Sequence, residues 1–189
     1  MAYLTQSQLN DMGFKSLGRN VKISEKASIY NAEQIEIGDC SRIDDFCVIS
    51  GTVKMGRNVH LAPFCLVAGG EKGIVFDDFS GLAYHVQVFT QSDDYSGLTL
   101  TNPTVPAKFK SEIKKAVHIG KHVIVGAGSI IMPGVALSEG TSIGAMSLVR
   151  KSTDPWSVYI GNPVRKIKPR KKNLLELERV YLEGENDSI

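Results

Sequence analysis

The sequence keeps a phase of six, and that phase limits what it can fold into. Between Ile119 and Thr153 it divides into IGKHVI, VGAGSI, IMPGVA, LSEGTS, IGAMSL and VRKSTD. The first place of every six is aliphatic: Ile119, Val125, Ile131, Leu137, Ile143 and Val149. The fifth is small or β-branched: Val123, Ser129, Val135, Thr141, Ser147 and Thr153. Glycine takes the second place at Gly120, Gly126 and Gly144. A helix repeats every ~3.6 residues and a free strand every ~2, so neither gives this phase. A solenoid does: short strands meet at tight corners, and each side sends one aliphatic side chain to a shared axis.

The phase also runs upstream. LGRNVK and ISEKAS keep it from Leu17 to a start at Ile29. Two extra residues shift it, and it resumes from Ile37 as IGDCSR, IDDFCV, ISGTVK, MGRNVH and LAPFCL. After a slip at Gly69, Gly70 and Gly73 come FDDFSG, LAYHVQ and VFTQSD. The strands of an ordinary β-sandwich have no reason to share one phase across so many corners. The glycines of the slip imply a bulged corner with positive φ.

These sixes resemble the hexapeptide-repeat acyltransferases, in particular the galactoside-type and surface-polysaccharide sugar acetyltransferases. The resemblance covers residues 17–168. It implies an all-β chain, a left-handed parallel β-helix assembled as a homotrimer, with each site in a groove between neighbouring subunits. It also implies acetyl- or another acyl-coenzyme A as co-substrate and a sugar, free or nucleotide-linked, as acceptor. Galactoside, maltose or antibiotic acetylation belong to the same chemistry. Two other readings stay open, a γ-type zinc carbonic anhydrase and a non-catalytic coil used for assembly.

Composition narrows the surroundings. The chain has 189 residues, 42% hydrophobic and 22% charged, with a formal net charge of +2. That is room for one real core. The field gives no reason to expect nucleic acid or an anionic membrane as partner. No apolar run is long enough to span a bilayer. The start MAYLTQSQLN has neither a basic stretch nor an apolar one, which points to the cytoplasm. Cys47 and Cys65 stand at fifth places, and with Cys40 they make an odd count, so they read as buried thiols and not as a disulfide framework or a metal site.

Residues 1–16 precede the repeat, and Ser7 is placed to cap a short helix over residues 8–12 that covers the end of the coil. Residues 94–117 hold no phase of six. With Pro103, Pro106, Lys108, Lys110, Lys114 and Lys115 they read as a basic arm closing over a neighbouring subunit's site. After Thr153 a non-repetitive crossing strand is followed by a helix predicted over residues 170–182, striped by Leu174, Leu177, Val180 and Tyr181, with a Glu176–Arg179 pair. Residues 184–189 read as a frayed tail.

The chain has no nucleophile elbow, no phosphate-binding glycine loop with its lysine, and no HExxH. Four histidines remain: His60, His85, His118 and His122. On a coil, residues four apart do not converge, so His118 and His122 form no metal face, and no metal is expected. In the family the loop after the middle coils carries a catalytic histidine. Here that place reads Gln91-Ser92-Asp93-Asp94, so a histidine base does not carry over to it. Asp94 and His85 are the catalytic candidates, with Asp93 and Tyr84 as substrate-binding neighbours. A carboxylate suits an ammonium acceptor, and an imidazole suits a hydroxyl. Turn chemistry at a corner is the plainer reading of each aspartate. On the donor side the resemblance places backbone of Ala127 and Ala145 against the pantetheine arm, Pro163 beside the adenine, and Arg150, Lys151, Arg165 and Lys166 towards the phosphates. A basic cluster beside glycine-rich backbone is also an anion site on physical grounds.

Overall fold

The computed structural model describes residues 2–186. Each six supplies one short strand and one corner. Within a strand, fifth and first places point inward and the sixth points out: Val123 and Val125 are buried while Ile124 between them is half exposed. The strands stack in parallel into three faces, a left-handed solenoid of about 7 turns. The first face runs from Ser16–Leu17 to Ala136–Leu137, the second from Lys22–Ile23 to Ser157–Gly161 with Val164–Pro169 added antiparallel, and the third from Ser28–Ile29 to Leu148–Val149.

Register turns the sixes into columns. On the third face Ile49 pairs with Val67, Val67 with Val88, Val88 with Ile131 and Ile131 with Val149. On the first, Ile37, Met55, Phe76, Ile119 and Leu137 do the same. All of these are at most 2% exposed. Each contributes roughly 1.5–3 kcal/mol of burial relative to exposure. Buried hydroxyls and thiols at fifth places find carbonyls: Ser147 Oγ donates to Gly144 O at 2.7 Å, Ser41 Oγ to Gly56 O at 2.9 Å, and Cys65 Sγ to Ala83 O at 3.1 Å. Its neighbour Cys47 and burial together push the Cys65 thiol up, so it stays protonated. The second place needs glycine where coils approach closely: a Cβ on Gly126 would lie 2.4 Å from the Ala145 nitrogen.

The fourth place turns the corner. Its φ is positive at Asn58, Phe79, His122, Phe46, Phe64, His85 and Met146, and the slip places Gly70 and Gly73 in the same region.

The ends differ in detail from the sequence expectation. Helix α1 (Gln6–Asp11) is capped by Thr5, not Ser7. Thr5 has the extended backbone a cap needs, and with Gln8 it forms a reciprocal capping box. Leu9, 2% exposed, seals the first coil. Val117 belongs to the core, not to the arm: it is 1% exposed and pairs with Ile74. The crossing strand is a hairpin, Ser157–Gly161 with Val164–Pro169, at the edge of the second face. Helix α2 is Leu174–Asn186 rather than residues 170–182. Arg170 is held before it by donating Nη1 to the carbonyls of His122, Gly140 and Thr141. Of the expected tail, residues 184–186 continue the helix and 187–189 lie outside the described residues. The expected Glu176–Arg179 pair forms at 2.7 Å.

Helix α2 docks through Leu174, Glu178 and Tyr181, leaving Leu177 and Val180 exposed. Glu178 meets Lys121 at 2.6 Å and His122 at 2.9 Å. Burial raises its pKa, but hydrogen bonds from Lys121 and His122 outweigh burial and hold the carboxyl below its ordinary value. The stability it contributes is therefore present above that ordinary value and lost as pH falls through the lowered one.

Two outcomes follow from this architecture. Ile131→Asp puts an unpaired charge on the axis and should cost several kcal/mol in denaturant unfolding. Val75→Asp, on an outward position between Lys54 and His118, should cost about 1 kcal/mol or less. Ser138 is no outward control, because its Oγ donates to Thr153 O at 2.6 Å. Glu178→Gln should lower Tm at pH 7, and the gap from wild type should narrow as pH falls below the ordinary glutamate range and close as it passes through the lowered pKa.

Candidate active site

Two neighbouring outward columns line the corner between the second and third faces. Third places give Asp45, Pro63, Tyr84, Ala127 and Ala145, and fourth places give Phe46, Phe64, His85, Gly128 and Met146. Backbone bonds lock one coil to the next. Phe64 N–H donates to Asp45 O at 3.0 Å, His85 to Pro63 at 3.2 Å, Gly128 to Tyr84 at 2.9 Å and Met146 to Ala127 at 2.8 Å. The side chains stack as the backbone does. Phe46 lies 5.0 Å from Phe64, and Phe64 lies 4.7 Å from His85 with planes 3° apart. Lys26 sits over the Phe46 ring at 5.5 Å. The hairpin turn carrying Pro163 stands beyond Ala145, with Arg165 on the strand after it.

So the structure gathers Tyr84, His85, Ala127, Ala145 and Pro163 along one edge. Arg150 and Lys151 follow the last strand of the third face at its other end, both exposed. Lys166 is engaged by Asp154 at 2.9 Å.

The arm leaves the opposite end of the third face. Gln91–Ser92 and Ile113–Lys114 pair antiparallel at its base, and Leu100 bridges to Lys110 within it. Asp94 organises its first turn: its carboxylate accepts from Ser96 N at 2.8 Å, Ser96 Oγ at 2.9 Å and Thr99 Oγ1 at 3.1 Å. Those bonds, the Ser96 hydroxyl foremost, hold the Asp94 carboxyl below its usual range. The arm's basic character is partly neutralised, since Glu112 pairs with Lys110 at 2.8 Å and with Lys114 at 3.4 Å. Tyr95 and Leu98 stand 90% and 88% exposed. Beneath the arm a cavity of about 610 Å³ has an apolar floor of Ala68, Phe89, Ile130, Met132 and Leu148, and Asp93 and Glu112 line its rim.

Asp94 and His85 are thus placed at opposite ends of the strand Gln87–Phe89, and one chain does not bring them together. The remaining histidines each meet a carboxylate: His60 meets Asp44 and His118 meets Asp77, both at 2.8 Å, and His122 meets Glu178. Among the described residues no group of three or more His, Cys, Asp or Glu is arranged to hold a metal ion. Sequence reasoning missed Ser96 and Thr99 as partners of Asp94, although an Asp two residues before a Ser is an Asx-turn signal. It also missed the ring stack, although aromatic fourth places recurring in sixes announce it.

Comparison with known proteins now bears on this edge and arm together. A dTDP-4-amino-4,6-dideoxy-D-glucose acyltransferase from Escherichia coli is 43% identical over 184 residues, 96% of this chain and 95% of that protein. The chain belongs to the hexapeptide-repeat acyltransferases. No family profile matches it. AntD, an N-acyltransferase from Bacillus cereus solved with dTDP and 3-hydroxybutyryl-coenzyme A, superposes with a TM-score of 0.96 at 46% identity, covering 97% of this chain and 98% of that one. AntD has also been solved with single aspartate or serine substitutions. A maltose O-acetyltransferase from Clostridium difficile, at 23% identity and a TM-score of 0.60, shares the fold. Within the hexapeptide-repeat acyltransferases this chain therefore matches one group over arm and coil alike.

Proposed function

We propose that this chain transfers a short acyl group from acyl-coenzyme A to the amine of a nucleotide-linked 4-amino-4,6-dideoxy sugar, in the cytoplasm, for use in surface polysaccharide. The observation that carries this reading is the near-full-length match to relatives of that activity, which includes the arm. The corner edge would be the coenzyme wall. Ala127 and Ala145 leave room for a thin pantetheine arm along backbone, Pro163 would flank the adenine and Arg165 would face phosphates; Arg150 and Lys151, at the other end of the third face, would reach phosphates in a neighbouring subunit's groove.

In the reaction the sugar nitrogen attacks the thioester carbonyl, a C–N bond forms, the C–S bond breaks, and the proton lost by nitrogen ends on the coenzyme thiol. Asp94 stays ionised, which makes it a weak base and a strong partner for an ammonium group. Its role would be to hold and aim the acceptor as it gives up its proton, with Asp93 beside it and Tyr84 facing it from a neighbouring subunit. A free amine is already nucleophilic towards a thioester, so positioning would supply much of the rate. His85 would act on the acceptor from the wall side, and backbone N–H groups would steady the oxyanion.

The site is complete only between subunits in this reading, in a homotrimer. Three features support that: Asp94 and His85 lie at opposite ends of one strand, the arm exposes Tyr95 and Leu98, and the outward third face is apolar.

Asp94→Asn keeps an oxygen for the Ser96 bond but removes the charge, and should lower turnover by about tenfold or more, roughly 1.4 kcal/mol, with Tm little changed. His85→Asn should also impair turnover. Trimers reassembled from the two variants should turn over faster than either parent, because some interfaces then carry both native residues. Full activity in a strict monomer, or no gain on mixing, would sink the shared site. Lys151→Ala with Arg165→Ala should raise KM for acyl-coenzyme A more than KM for the sugar, and salt should shrink the difference. A shift in the sugar's KM instead would mean the two ends of the groove are reversed.

A further inference from the structure

The corner edge has one broken rung. Below it, Tyr84 and His85 both project outward, and the lower face of the His85 ring is covered by Phe64. On the next coil the corresponding pair is Ala127 and Gly128, which project almost nothing. The Gly128 N–H donates to Tyr84 O at 2.9 Å, so this rung lies directly over the one below. On the coil above, Met146 is 76% exposed and reaches back down: a Cβ built on Gly128 would lie 2.5 Å from the Met146 sulfur. That glycine sits at φ +70°, and a side chain there would displace the flexible Met146 thioether. The result is a slot one coil high, floored by Tyr84 and His85 and filled at present by a thioether.

We propose that this slot receives the acyl group of the donor thioester, and that Met146 is the specificity-determining residue that sets how long an acyl chain is accepted. The inference rests on the reading of this edge as the coenzyme wall. A thioester travelling down past Ala145 and Ala127 towards an acceptor at Tyr84 and His85 arrives at this rung. Its alkyl tail needs an apolar recess beside the reacting carbon, and the space the thioether holds adjoins this rung. Methionine is unbranched, with three rotatable bonds and a polarisable sulfur, so it can swing outward by a graded amount. A branched or aromatic side chain would give a fixed depth.

The test compares wild type, Met146→Ala and Met146→Phe with acetyl-, butyryl- and hexanoyl-coenzyme A and one amino-sugar nucleotide. Phenylalanine is tolerated by this backbone, since Phe46 and Phe64 hold the same corner at φ 61° and 67° against 56° for Met146. Met146→Ala should raise kcat/KM for hexanoyl- relative to acetyl-coenzyme A by about tenfold or more, and Met146→Phe should lower it by a similar factor. The sugar's KM should not move. An unchanged chain-length ratio in both variants, with turnover intact, overturns the slot and leaves the functional reading standing. If no acceptor turns over, calorimetry asks the same question of binding: a changed affinity ratio between hexanoyl- and acetyl-coenzyme A supports the slot, and an unchanged one overturns it. Wild type that binds neither thioester nor free coenzyme A overturns both readings at once.

Discussion

The structure depends on one backbone constraint: at most corners the fourth residue of a six turns through the left-handed region. Parallel strands ordinarily connect by right-handed crossovers. Corners this short, with one residue at positive φ, wind the chain the other way. For a residue with a side chain that conformation costs roughly 1–2 kcal/mol, and here it falls on Phe46, Phe64, His85 and Met146 along one corner. What offsets it is repetition. The same conformation on the next coil places each corner residue over its predecessor, so the strain is accompanied by stacking of Phe46, Phe64 and His85 and by backbone bonds from coil to coil.

The corners obey one local rule but differ in what covers them. Along the corner between the first and second faces, Phe79 stacks on His122 at 5.5 Å and His122 lies 6.1 Å from Trp156. Helix α2 closes that edge with Tyr181 against Phe79 and with Glu178 against His122. The next corner carries a stack of the same kind with no helix over it, and it is there that small residues interrupt the wall. A covered edge and an open edge thus arise from the same six-residue grammar, separated by whether a terminal element folds back.

This explains why much was legible in advance and where legibility stopped. The inward positions follow from phase alone, and Ile119, Val125, Ile131, Leu137, Ile143 and Val149 are all buried. The ends were harder because capping competes among adjacent residues: Thr5 and Ser7 are chemically similar, and only the backbone decides. The docking face of α2 was misread because its anchor is Glu178, a charged residue that no apolar stripe includes. The arm was recognisable by its lack of phase, but its internal bonds, Asp94 to Ser96 and Thr99, depend on a turn that the sequence only permits. That Asp94 and His85 do not meet within one chain could be seen only once the strand between them had been placed.

The arm has one further meaning. Coils usually follow each other by 18 residues, as Ile124 follows to Ser142, yet across the arm Gly81 pairs with Ile124 in undisturbed register. The coil does not register what is inserted there. A segment so decoupled can be lengthened, shortened or rewritten while the wall above it stays the same. The wall and the arm of such a protein can therefore diverge at different speeds, the one bound to the phase of the coil and the other released from it.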